Sequence, residues 1–385
     1  TNPFCAPNLL QINPFALPEG VHVLEHIDRL VEVFNACWPM YAAMPAILKE
    51  AVEKIYEDCG WNLRTSKNPG VFPTFADLLE MLPKVVESSA YSADTSSDYK
   101  GALVTRVRSL TRGIHGQIFF KDVPASKLFD ENVIIDISRV GSQETKALIM
   151  GILVLKLQEH RMSAPEGSNQ DLKHITVLEE AHHLLRRTSS EQSQESSNLQ
   201  GKSVEMLANA IAEMRTYGEG FVIADQSPGL MDMSVIRNTN TKIIMRLPDE
   251  GDRLLVGKGA GLTASQVEEL SRLEQGVAAI SQSDWLEPVL CKIDRFEDTH
   301  SLKERFETNT FTWEDIESKR VQSFLNAALD IEPLNLSKED VDGLRKWTGS
   351  LELSEVGRQF AERVLEGHAL DGKRKIIADI LCCWQ

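Results

Sequence analysis

The stretch HITVLEEAHH, residues 174–183, decides how the rest of the chain is read. A short β-branched apolar run, Ile175 to Leu178, ends in two adjacent carboxylates, Glu179 and Glu180. A run of that length closed by acids fits a buried parallel strand that carries charge to the carboxyl edge of its sheet. That edge is where open α/β sheets bind ligands. The same residues also fit a plain strand end whose acids begin a solvated helix, so the flanking sequence has to separate the two readings.

The chain has 385 residues, enough to bury a sizeable core in one large domain or two. Its 42% apolar and 25% charged content is that of a globular protein in water. No run reaches the ~18 apolar residues that a membrane helix needs, and no signal peptide opens the chain. The six cysteines, at 5, 37, 59, 291, 382 and 383, have no metal-ligand spacing and read as reduced, structural thiols of a cytoplasmic protein. A net charge of −16 argues against broad coating of nucleic acid but leaves room for a narrow basic channel. Thr1 is not a Met, and a strand is expected almost at once. The chain therefore reads as an excised or truncated part of a longer one.

Outward from the quoted stretch, the pattern alternates. A strand is expected at 9–12, running into a Pro/Gly turn, followed by helices from Val23 to Asn35 and from Ala42 to Tyr56. Thr74 and Asp77 open a further helix with an apolar face of Leu78, Leu79, Leu82, Val85 and Val86. A polar link over 88–98 leads to a helix carrying Arg106, Arg108 and Arg112, either a solvated face or a phosphate contact. Residues 21–130 thus read as a mainly helical insertion. Beyond it, a strand over 132–137 is followed by a helix from Gln143 to Glu159, and the opening strand comes next. After a Ser/Gln-rich tract at 188–200, a helix over 204–217 leads to the strand Phe221 to Ala224, and a third strand spans 241–247. Thr263 and Gln266 form a capping box for a helix over 264–273, and a hairpin closes at 276–281 and 288–293. From 296 to 385 the pattern is helical, with amphipathic runs at 313–329 and 351–366. Strand and helix alternate with short links through 131–250, which predicts a parallel sheet with helices on both faces.

In such a sheet, successive strand ends share an edge. Glu179 and Glu180 end one strand, Gln226 follows the next, and Arg246 ends the one after, so all are expected to face one ligand. A carboxylate there can hold Mg²⁺ or polarise a water, a glutamine can orient that water, and an arginine can neutralise phosphoryl charge. The grouping points to phosphoryl transfer.

With these residues in place, the chain resembles the HerA/FtsK-type ATPases, including their conjugation-system relatives. The resemblance rests on HITVLEEAHHLL (174–185), YGEGFVIADQSP (217–228), NTNTKIIMRLPDEGDR (238–253), INPF (12–15) and the NVIIDIS stretch with its following helix. It covers about 9–295 and is strongest over 131–293. It implies an α/β fold, a RecA-like (ASCE) parallel-sheet core made of 1–20 and 131–295. ATP and Mg²⁺ are the implied cofactors. Glu179 takes the Mg²⁺-associated position, usually Asp, with the metal contact made through water. Glu180 takes the position of the catalytic base and Gln226 that of the sensor. Arg215 and Arg246 match arginines that are candidates for a contact between subunits of a hexameric ring. Such a ring would pass DNA through its pore and could serve a nuclease or another effector.

The family also needs a phosphate-cradling G-x-x-x-x-G-K-[ST] loop between a strand and a helix, ahead of the INPF strand. No such run occurs in this sequence. Gly201-Lys202-Ser203 has Ser at 196 where the first glycine belongs and follows a polar tract, so it reads as a helix start; Gly257-Lys258-Gly259 reads as a turn. The loop is therefore expected upstream of Thr1, leaving this chain inactive by itself. The alternative is an ATPase-dead scaffold for a DNA-processing or defence complex. His182 and His183 have no Cys or His partner at metal spacing; one of them is expected to couple the acid pair to neighbouring elements. Asp136 and Asp225 read mainly as strand-end caps. The 188–200 tract is either a surface loop or a pore loop flanked by Arg186, Arg187 and Lys202.

Overall fold

The computed structural model describes residues 9–295 apart from 42, 68–69, 90, 165–166, 168 and 188–198. The chain divides into two units, Thr1–Arg295 and Phe296–Gln385. The helices expected after 296 and most of the Ser/Gln tract lie outside the described residues.

The first helix, α1 (Val23–Cys37), is capped by His22, whose ring accepts from the Leu24 N–H. Its stripe of Val23, Ile27, Leu30, Val31 and Phe34 is buried. Then come α2 (Met44–Asp58), α3 (Phe75–Ser88) and α4 (Ala93–Leu110). The expected cap of α3 forms: the Thr74 N–H donates to the Asp77 carboxylate at 2.7 Å. The polar link is shorter than expected, because Ser92 caps α4 and starts it at Ala93. Arg106 on α4 lies 3.8 Å from Glu144, and Arg112 lies beyond α4 as the cap of α5 (Gly113–Ile118). The short α6 (Ala125–Phe129) precedes α7 (Gln143–Met162), a central 20-residue helix that buries residues on every side. Helix α8 (Leu199–Glu213) follows the strand β1 (His174–Glu179) and precedes β2 (Glu219–Ala224). Helix α1 packs on both α7 and α8. A single apolar cluster runs from Leu10 to Val235, so the helices of 21–130 share the core of this unit rather than enclosing one of their own.

Buried polar groups tie the 13–16 segment into that core. His26 on α1 donates from Nε2 to the Pro14 carbonyl (3.1 Å), and Lys156 on α7 donates to the Ala16 carbonyl (3.0 Å). Tyr56 on α2 donates to the Phe15 carbonyl. Burial first, then the charge of Glu159, push the Tyr56 phenol well above its ordinary range, which keeps that donor protonated. Glu159, fully buried on α7, receives His26 Nδ1 at 2.9 Å.

Strands β1 and β2 are parallel and level, with His174 opposite Glu219 and Glu179 opposite Ala224. The expected strands at 9–12 and 132–137 do not form. Residues 9–12 form no ladder, with isolated bonds such as Ile12 N–H to the Ile118 carbonyl and Val123 N–H to the Gln11 carbonyl, and Ile134 in the second segment is 74% exposed. Their apolar, β-branched sequence favours extended backbone, but a strand also needs a ladder with a partner, and neither segment pairs with a described strand, although the two-stranded β1–β2 sheet has unpaired outer edges. The third expected strand is also different. β3 (Thr241–Ile244) stops short of 247 and joins β4 (Val277–Gln282) and β5 (Val289–Lys292) in a separate antiparallel sheet, with α9 (Met233–Asn238) before β3, and α10 (Glu250–Gly259) and α11 (Ala264–Glu269) between β3 and β4. The hairpin predicted at 276–293 is present and supplies the edge that β3 takes. Past Ile244 the backbone turns away: Leu247 N–H bonds to Leu270, and Pro248 has no N–H for a ladder.

The turn into β2 depends on Gly218, whose φ is +82°. A Cβ there would lie 2.4 Å from the Asp171 carbonyl. Gly218→Ala is therefore expected to cost at least about 1–2 kcal/mol from the left-handed backbone alone. Denaturant unfolding reads this directly, and an unchanged midpoint would contradict the assigned turn.

Candidate functional site

The level register of β1 and β2 builds the site. Glu179 sits opposite Ala224, so Glu180 leaves β1 where Asp225 and Gln226 leave β2. Glu180 then takes a left-handed conformation, φ 51° and ψ 46°, and caps a single 3₁₀ turn, Ala181–His183. A residue with a Cβ adopts this region only where its surroundings hold it.

Four side chains meet there. Gln226 Nε2 donates to Glu180 Oε1 at 3.1 Å. His182 Nδ1 lies 3.5 Å from Glu180 Oε2 and 2.9 Å from Asp225 Oδ2. The same Asp225 oxygen accepts the His182 backbone N–H at 2.9 Å, and Asp225 Oδ1 accepts the Ser227 N–H at 2.9 Å. The Asp225 side chain is 1% exposed and that of Glu180 is 43% exposed, so a buried anchor supports a carboxylate that meets solvent. The His183 ring stands 4.4 Å from that of His182. Burial first, then the charges of His182 and Lys146, hold the His183 imidazole below its ordinary range.

Glu179 is exposed and makes no hydrogen bond or ion pair with the described residues. A free carboxylate oxygen suits a hard cation such as Mg²⁺. Glu180, His182 and Asp225 also place one ligand atom each within 4.8 Å of one another. Asp225 Oδ2 already takes both the backbone and the ring donor of His182, however, so the trio is satisfied as a hydrogen-bonded unit.

The expected convergence holds for Glu180 and Gln226 and not for Arg246. Arg246 follows β3, which belongs to the other sheet, and its side chain is exposed without a described partner. Arg215 is likewise exposed, in the 3₁₀ turn Met214–Tyr217 before β2. It precedes the strand whose far end carries Gln226, which separates it from Glu180 by about 20 Å at ~3.3 Å per strand residue. Gly201-Lys202-Ser203 lies inside α8, which starts at Leu199 rather than 204, and the buried Ser203 hydroxyl donates to Glu32. That settles it as helix.

Two features escaped the sequence. From sequence Asp225 reads mainly as a cap, and only the register reveals that it reaches His182. Glu219, fully buried at the start of β2, binds Arg161 (2.9 Å), His174 (2.8 Å) and Thr176 (2.6 Å). Arg161 continues to Asp130 at 2.6 Å. Burial alone would raise the Asp130 carboxyl, but hydrogen bonds from Arg161 and His160 outweigh it and leave it lowered. Cys37 is buried, which pushes its thiol far up, as expected of a structural cysteine. Among the described residues no helix is long and apolar enough to cross a membrane.

No protein-family model matches the chain. It is 31% identical over 124 residues to the DNA double-strand break repair helicase HerA of Sulfolobus acidocaldarius, and 32% identical over 124 residues to that of Sulfurisphaera tokodaii. Each alignment takes in 32% of this chain and only 23% of the relative's length. Among solved structures, VirB4 of Thermoanaerobacter pseudethanolicus superposes with a TM-score of 0.55 at 16% identity, covering 75% of both chains. The plasmid coupling protein TrwB in complex with ADP and Mg²⁺ gives 0.49 at 11% identity. The VirB4 likeness bears out the α/β, RecA-like fold expected from the sequence.

Proposed function

As a HerA/FtsK-type ATPase domain with a RecA-like fold, this chain is, we propose, the hydrolytic part of an ATP-driven DNA translocase or helicase. One observation carries the reading: the Glu180 carboxylate, solvent-facing at the end of a parallel strand, is held by Gln226 from the level end of the next strand. In this account Glu180 takes the proton of the attacking water, and Gln226 orients that water and registers the terminal phosphate. Mg²⁺ bound with ATP would neutralise charge on the β- and γ-phosphates. Glu179 would hold its hydration shell, using the oxygen atoms that no described residue occupies.

Arg215 and Arg246 fit action on a neighbouring subunit better than action within one. Both are exposed, and Arg215 lies at the sheet end away from Glu180. A ring of copies, six by the resemblance alone, would bring such an arginine to the next site and leave a pore for DNA. In mixtures of wild type with Arg215→Ala or Arg246→Ala, turnover is expected to fall faster than the wild-type fraction for the arginine that acts in trans. Strict proportionality for both variants would remove the trans reading.

The ATPase-dead scaffold keeps one observation in its favour: the sequence has no phosphate-cradling run. The chain alone is accordingly expected to turn over no ATP. The deciding experiment is ATP turnover by the intact protein that carries this chain, with and without duplex DNA. DNA-stimulated turnover supports the motor, and background rates under both conditions support the scaffold.

A further inference from the structure

The geometry points to Asp225 and His182 as a positioning pair that fixes where the Glu180 carboxylate stands. This deepens the reading of Glu180 as the base and rests on it for its catalytic consequence; its structural half stands alone. Neither residue is placed against substrate. Their work is to hold the exit of β1 to the exit of β2, so that the carboxylate between them has one location.

Three features carry the inference. First, Glu180 has φ 51°, a backbone region that is unfavourable for any residue bearing a Cβ, and the turn after it must keep it there. Second, that turn is fastened by one carboxylate from the other strand. Asp225 takes the His182 N–H and the His182 ring on Oδ2 and the Ser227 N–H on Oδ1, so one buried side chain clamps both strand exits. Third, the same His182 nitrogen stands 3.5 Å from Glu180 Oε2 while Gln226 holds Oε1 at 3.1 Å, so the carboxylate is flanked on both sides. Lys146 on α7 and the neighbouring His183 are the other charged or titratable groups facing this turn. The His183 backbone N–H closes the turn on the Glu180 carbonyl at 3.0 Å, and neither side chain makes a hydrogen bond or ion pair with the Glu180 or Asp225 carboxylate among the described residues.

A base held in this way loses rate when its support is removed, because proton transfer depends on placement to within about 1 Å. It does not lose affinity for a nucleotide bound through other groups. His182→Ala in the intact protein is therefore expected to lower kcat by about 10- to 100-fold with KM unchanged. His182→Asn, whose side-chain amide can donate where Nδ1 does, is expected to restore most of that rate. Asp225→Ala should be at least as damaging as His182→Ala, since it frees the backbone of the turn as well.

Hydrogen exchange on the full chain without nucleotide provides the second arm. In Asp225→Ala, the His182 and Ser227 amides are expected to exchange at least about tenfold faster, which corresponds to ~1.4 kcal/mol, while the β1–β2 ladder amides keep their protection. Unchanged exchange at His182 and Ser227 would overturn the proposal. So would a loss in His182→Ala that appears in KM, or one that His182→Asn fails to rescue. Should Glu180→Gln leave turnover intact, the assignment of Glu180 as the base fails by itself, and the exchange measurement still decides whether Asp225 holds the turn.

Discussion

Glu159→Ala is expected to remove about 3–5 kcal/mol of folding stability, the usual cost of breaking a buried ion pair from one side. Glu159 and His26 are both fully buried, and the imidazole contacts the two carboxylate oxygens at 2.9 and 3.0 Å. The other ring nitrogen is committed to the Pro14 carbonyl, and the Arg29 guanidinium lies 3.6 Å from the carboxylate. Removing the carboxylate leaves a buried imidazole and a buried arginine nitrogen without their anion. Removing both partners is a different matter. A His26→Leu, Glu159→Met double variant replaces the pair with apolar volume, and much of the loss should return, because the pair repays little beyond its own desolvation. Denaturant unfolding of the three proteins checks this. A loss below about 1 kcal/mol in the single variant would mean that water reaches the pair and screens it.

That pair also marks what the sequence made legible. The apolar stripe of α1, the caps of α3 and α11 and the closing hairpin depend on periodicity and local hydrogen bonds, which sequence carries directly. The buried pair does not, since His26 and Glu159 are 133 residues apart and each looks like a surface residue on its own helix. The same holds for Asp225, whose partner is 43 residues away and set by register. Strand propensity at 9–12 and 132–137 reported extended backbone correctly and failed at pairing, which is a property of a neighbour. Arg246 was misplaced for a related reason. A parallel sheet continued through β3 would have brought it to the common edge, but β3 found an antiparallel partner in the hairpin. Gln226 survived the same reasoning because the β1–β2 register is level.

Whether Glu180 activates water is decided by ATP turnover of Glu180→Gln beside wild type, in the intact protein with DNA present, together with ATP binding to both. Glutamine keeps the length of the side chain, and its carbonyl can still accept from Gln226, so the local structure should persist. It cannot take a proton. Turnover is expected to fall by about 10²- to 10⁴-fold while ATP binding is retained. Turnover close to wild type would contradict it and move the hydrolytic centre away from the acid pair at the end of β1.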